Sequence, residues 1–297
     1  MRLAAIDIGS NAARLLISDV LKGPQGNPEF IKAALVRAPL RLGFEVFDKG
    51  EIPLNKVEKI IKTMKSYKLL LEVYEVKHVK ACATSAMRDA SNGAEIIRKV
   101  KTETGIEIRI ISGQEEASLI YENHIAEGMT KEESYLYIDV GGGSTELTFF
   151  SDGKLVFKES FNIGTIRLLK NQVNESLWDE MREFIKERTK GYHHVTAIGS
   201  GGNINKIFSL SKRKEGKPLT LGLLRDYFKE FSNLSINQRM TLYHLREDRA
   251  DVIVPALLIY INVLRWADAE EIYVPKIGLA DGLIHILYEE VKEPRFT

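Results

Sequence analysis

A single cysteine, Cys82, is all the thiol chemistry this sequence holds, so no internal disulfide can form and a reducing compartment suits it. Cys82 sits in an apolar stretch and reads as a small buried side chain rather than a nucleophile. No run of about 18 apolar residues occurs, so no membrane-spanning helix is expected. Net charge is only +1, which excludes a global field drawing the chain to DNA or to a membrane surface, and any path for a polyanion has to be local. There is no phosphate loop with its lysine, no His-Glu-x-x-His, no low-complexity tract and no heptad run. No signal-type apolar region precedes the first motif, and the cytoplasm is the expected location. What remains is 297 residues of ordinary globular composition, 44% hydrophobic and 28% charged, enough for two domains.

The chain is organised around residues 135–150. An apolar run delivers the carboxylate of Asp139 to its end; Gly141, Gly142 and Gly143 follow, then Ser144, Thr145, Glu146 and a second alternating run. The pattern predicts strand, tight turn, strand. Glycines let the turn take φ > 0 and let its amides approach a ligand, and successive amides can form an anion nest. The opening repeats the design: an apolar run to Asp7, then Gly9, Ser10 and Asn11, then Leu15-Leu16-Ile17. Two copies this far apart fit two similar domains sharing a cleft, not a solenoid. Gly199, Ser200, Gly201 and Gly202 read as a third turn with a phosphate contact.

Between these motifs, residues 55–73 read as a helix with Asn55 and Glu58 as its cap pair. A strand over 76–83 delivers Thr84, Ser85 and Arg88 to a carboxyl edge, where α/β sheets keep ligand contacts. Gly105 stops a helix over 95–104. Ser112 and Glu115 have capping-box spacing, so the acid pair Glu115-Glu116 has a structural explanation beside a catalytic one. Residues 130–133 read as a charged linker, Asp152-Gly153 as a hairpin turn, and 283–291 as the last helix. Lys206, Lys212, Arg213, Lys214 and Lys217 read as a solvated loop or as a polyanion track.

Glycine turns beside carboxylates point to phosphate with a divalent metal. Asp7, Asp139 and Glu146 are hard oxygen ligands, and Mg²⁺ takes one or two carboxylates with water and substrate phosphate. Hydrolysis needs a further carboxylate to take the proton of water. The residues alone leave open a hydrolase, a kinase and a phosphate-binding protein without chemistry.

Taken in order, the Asp7 to Asn11 opening, Arg41-Leu42-Gly43, residues 83–90, residues 111–117, Asp139 to Glu146 and Gly199 to Gly202 closely resemble the exopolyphosphatase/guanosine pentaphosphate phosphohydrolase family. Arg249-Ala250-Asp251 fits as well. The resemblance implies the acetate kinase, sugar kinase, chaperone and actin superfamily: an α/β fold of two ribonuclease-H-like domains flanking a cleft. These would be residues 1–124 with a returning helix in 284–297, and residues 125–283. It implies Glu116 as catalytic base, and Asp139, Asp7 and Glu146 around Mg²⁺. It also implies Ser10, Asn11, Arg88, Gly141, Gly142, Gly143, Ser144, Gly201 and Gly202 around the phosphates. The implied activity is release of terminal phosphate from inorganic polyphosphate of short length, with guanosine pentaphosphate hydrolysis or a catalytically weak sensor as alternatives. A homodimer is a possible assembly, with no DNA or membrane partner. The chain departs from the family pattern at Ala12-Ala13-Arg14, where members usually carry a hydroxyl, an aromatic and often a His, and at Phe44-Glu45-Val46 and Asn203.

Overall fold

A computed structural model describes residues 1–23, 26–116, 119, 133–192, 194–275 and 278–292. The expected linker at 130–132 lies outside them, as do parts of the expected loop at 22–28 and of the helix begun at Ser112. The chain divides into two compact units, Met1–Asn123 with Gly278–Thr297, and His124–Ile277.

The first unit holds a five-stranded sheet in the order β3-β2-β1-β4-β5. Its strands are β1 (Arg2–Ile8), β2 (Ala13–Lys22), β3 (Pro28–Ala38), β4 (His78–Ala83) and β5 (Ile108–Ile110). β1 pairs antiparallel with β2 and parallel with β4. Strand alternation sends Leu3 and Ala5 of β1, Leu16 and Val20 of β2 and Cys82 of β4 to one face, where they meet Leu279, Leu283, Ile284 and Leu287 of the last helix. Each of the Leu, Ile and Val side chains contributes about 1.5–3 kcal/mol on burial, and the smaller Ala5 less. Lys32–Asp281, at 2.7 Å, and Lys80–Glu290 tie the same helix to the strands. The helix Leu54–Val73 is fastened to the sheet by Tyr67, whose hydroxyl donates to the Ala13 and Val36 carbonyls at 3.0 and 3.3 Å.

The second unit holds six strands in the order β10-β11-β9-β6-β7-β8. These are β6 (Ser134–Val140), β7 (Thr145–Ser151), β8 (Lys154–Phe161), β9 (Val195–Ser200), β10 (Leu219–Thr220) and β11 (Glu271–Tyr273). β6 pairs antiparallel with β7 and parallel with β9, the arrangement β1 has with β2 and β4. The ribonuclease-H-like design is therefore present twice. The helix Ile253–Trp266 is apolar nearly all round and buries Ile253, Leu257, Tyr260 and Leu264 in this unit's core.

Several local expectations hold. Gly105 ends its helix at φ 75, and Asp152-Gly153 closes the β7–β8 hairpin at φ 50 and 69. Others need correction. Asn55 is not a cap: Pro53, whose ring fixes its φ, occupies the N-cap position without a side-chain bond, and the helix begins at Leu54. The last helix starts at Leu279 rather than 283, because the Asp281 carboxylate accepts from the Gly278 amide at 2.9 Å and the helix runs on through Gly282. Lys206 lies on the helix Gly202–Ser211, not in a loop.

Candidate active site

In the first unit two separate stretches, 41–43 and 84–85, converge on the turn after β1. The Ser10 carbonyl accepts from the Gly43 amide at 2.9 Å and the Asn11 carbonyl from the Arg41 amide at 2.8 Å. Ser10 Oγ lies 2.8 Å from Ser85 Oγ, and the Thr84 amide donates to the Ile8 carbonyl at 3.1 Å. The Arg88 guanidinium donates to the Ile111 carbonyl at 2.9 Å, so this expected phosphate cation also braces the stretch that carries the acid pair.

That pair separates cleanly. Glu115 accepts from the Ser112 amide at 2.9 Å, its own amide donates to Ser112 Oγ at 3.1 Å, and Arg109 Nη1 reaches its carboxylate at 2.7 Å. The Ser112 amide and then Arg109 hold the Glu115 carboxyl below its ordinary range. Glu115 is a cap. Glu116, one residue on, is buried and takes no part in that box.

Asp7 and Asp139 are each the penultimate residue of a central strand, and each sits in register with one residue on either side. For Asp7 the neighbours are Arg14 and Cys82. For Asp139 they are Glu146 and Ser200. The two positions therefore differ in charge. Arg14 Nη1 meets Asp7 Oδ2 at 2.7 Å, so the first carboxylate already has a cation. The second faces another carboxylate, an arrangement that is destabilising unless positive charge or a proton lies close by. Ser160 Oγ donates to Glu146 Oε1 at 3.1 Å. The two carboxylates, flanked by hydroxyls, are hard oxygen donors and fit Mg²⁺ or a similar cation. Asp7, expected as a metal ligand, is paired with Arg14 in this structure.

Burial pushes the Asp7 carboxyl up, and Arg14 opposes that. Arg14→Ala removes the opposition. A carboxyl raised in the folded state binds more protons folded than unfolded, so stability falls as pH rises from its unfolded value, about 3.9, toward its folded one. The variant is expected to lose about 2 kcal/mol at neutral pH, after allowance for the partly exposed guanidinium, and much less at pH 4. Urea denaturation across that range checks this; a loss independent of pH refutes it.

The glycine turn after β6 is clamped by its carbonyls. The Gly141 carbonyl accepts from the Thr165 amide at 3.0 Å, that of Gly142 from the Ile166 amide at 2.8 Å, and that of Gly143 from Arg167 Nε at 2.8 Å. None of Gly141, Gly142 and Gly143 has a positive φ, contrary to the expected reason for glycine there. Close approach places the demand on Gly164 instead: a Cβ there would lie 2.4 Å from the Gly142 carbonyl oxygen. With these carbonyls engaged and the Gly141 amide donating to the Ser144 carbonyl at 2.9 Å, an anion has the amides of Gly142, Gly143 and Ser144 to approach. Ser144 is buried beside it.

Gly201 does need its glycine. Its φ is 107, and a Cβ there would stand 3.0 Å from Asp139 Oδ1. It opens the helix Gly202–Ser211, whose first amides favour an anion. A Cβ on Gly202 would lie 2.6 Å from Arg249 Nη2, and Arg249 Nη1 donates to Asn203 Oδ1 at 2.7 Å. Arg249 belongs to the Arg249-Ala250-Asp251 stretch that fits the family resemblance, and its place beside Gly202 is not readable from spacing. Tyr260 carries no such signal in the sequence: fully buried, it donates to the Ser200 carbonyl and fixes the end of β9.

The chain matches a bifunctional 3-dehydroquinate synthase/phosphatase of Fusobacterium nucleatum at 27% identity, over 97% of this chain and 46% of that protein, so it spans less than half of that relative. It matches exopolyphosphatase 1 of Mycobacterium bovis at 26% identity, over 96% of this chain and 87% of that one. The crystal structure of the Aquifex aeolicus Ppx/GppA family member superposes with a TM-score of 0.75 at 27% identity, covering 99% of both chains. The profile of the Ppx/GppA phosphatase family runs over residues 33–291, from within β3 to the last turn of the returning helix, and the chain belongs to that family.

Proposed function

We propose that this chain is a Mg²⁺-dependent hydrolase that releases the terminal phosphate of short inorganic polyphosphates. The observation that carries it is the paired Asp139 and Glu146 on one face of the second unit, flanked by the Gly141 to Ser144 turn and by Gly201, Gly202 and Arg249. The two compact units serve as the two domains of the enzyme.

Gly142, Gly143 and Ser144 receive phosphate oxygens on their amide side, the Gly141 amide being held by the Ser144 carbonyl, and Gly201 and Gly202 do so at the start of their helix. Arg249 adds positive charge there, and Ser10, Asn11 and Arg88 supply the contacts of the first unit. Asp139 and Glu146 would hold Mg²⁺, which supplies charge neutralisation on the phosphate when bound. Glu116 orients the attacking water and takes its proton. Glu115 cannot share that role while it caps its helix.

The test is phosphate release by the purified protein with Mg²⁺ from short polyphosphate, long polyphosphate and guanosine pentaphosphate in parallel. Short polyphosphate is expected to be the best substrate. Preference for the nucleotide would replace the substrate, and release from none of the three would refute hydrolysis. Asp139→Asn is expected to raise the Mg²⁺ concentration for half-maximal rate by at least about tenfold; an unchanged titration removes Asp139 from the metal.

A further inference from the structure

In the second unit a hydroxyl stands where the first has a sulfur. Asp139 pairs in register with Ser200 across β6 and β9, as Asp7 pairs with Cys82 across β1 and β4. Paired residues on neighbouring strands share a face, so Ser200 stands beside Asp139 on the side away from Glu146. Cys82 is packed among apolar side chains of its unit's core. Ser200 is 2% exposed, and among the described residues no group lies within hydrogen-bonding reach of its Oγ. Its backbone is fixed on both sides: its carbonyl accepts from Tyr260, and the next residue, Gly201, turns at φ 107 into a ten-residue helix.

A buried hydroxyl with no partner costs stability. A protein that only needed to fill this place has an apolar solution of the same size, as its other unit shows. Ser200 borders the first amides of the helix Gly202–Ser211 and the turn on which Arg249 packs, which is a setting for an anion.

We infer that Ser200 Oγ is a further substrate-binding group, donating a hydrogen bond to a phosphoryl oxygen seated at the Gly201-Gly202 turn. This rests on the polyphosphate reading for the kind of ligand, not for the chemistry performed on it. The hydroxyl serves as a donor only when phosphate is bound, so the ligand-free protein carries its cost.

The test reads stability and binding apart from turnover. Ser200→Ala and Ser200→Cys are melted without ligand, and titrated with orthophosphate and with tripolyphosphate by calorimetry, with and without Mg²⁺. Both variants are expected to melt at or above the wild-type temperature without ligand and to bind phosphate at least about tenfold more weakly, the usual effect of losing a bond to a charged group. Unchanged phosphate binding overturns the inference. So does a marked loss of ligand-free stability, which would mean that the hydroxyl has a partner inside the protein. If phosphate binding falls as expected while no phosphate is released from polyphosphate, the assignment of Ser200 stands and the hydrolase reading fails.

Discussion

Glu116→Gln is expected to lower phosphate release by about 10²–10⁴-fold and to leave both the melting temperature and the binding of substrate in place. The amide keeps the shape of the side chain and removes its capacity to accept a proton from water. Glu115→Gln is expected to do the reverse. It weakens a bond to the Ser112 amide and an ion pair with Arg109, so it costs helix stability of about 1 kcal/mol and leaves turnover close to wild type. The two neighbours thus form their own control. A Glu116→Gln protein that turns over normally, or a Glu115→Gln protein that does not, would move the base elsewhere.

Gly164→Ala is expected to disable the phosphate turn. The added carbon would meet the Gly142 oxygen and the Gly143 carbonyl carbon at 2.4 Å and the Gly142 carbonyl carbon at 2.5 Å, all backbone atoms with no rotamer to escape into. Relief requires the turn to part from the amides of Thr165 and Ile166, which now bond its carbonyls. Overpacking of this kind costs about 3 kcal/mol, and phosphate binding should be lost with it. Gly222→Ala is the contrast. Its nearest neighbour would be Thr220 Oγ1 at 3.9 Å, an ordinary contact, and alanine suits the helix Leu221–Ser232 better than glycine does. That variant should be as stable as the wild type or more so. Chemical denaturation and phosphate titration of the pair decide the matter; equal stability of the two would refute the clamp.

Much of the frame was legible because it is local. Apolar alternation located β1, β2, β6 and β7, and the acid before each glycine turn marked the end of each central strand. The spacing of Ser112 and Glu115 foretold the cap that now separates Glu115 from Glu116. What escaped was whatever depends on distant chain. Arg249 and Tyr260 lie on helices late in the sequence, and nothing in their neighbours says that they return to Gly202 and to Ser200. None of the glycines at 141, 142 and 143 takes the positive φ expected of them, and the tight contact lies at Gly164, a residue whose role is visible only once the turn is folded. Asp7 and Asp139 looked alike in one dimension. Their cross-strand neighbours, Arg14 and Glu146, make them opposites.

The last helix sets an order for the birth of the molecule. Residues 279–291 cover the face of the first sheet formed by Leu3, Ala5, Leu16 and Val20, yet they leave the ribosome only after the whole second unit has emerged. The second unit, continuous in sequence, can fold while translation proceeds. The first, although made earlier, waits with an apolar sheet face open to water. The half of the protein synthesised first is therefore the half completed last.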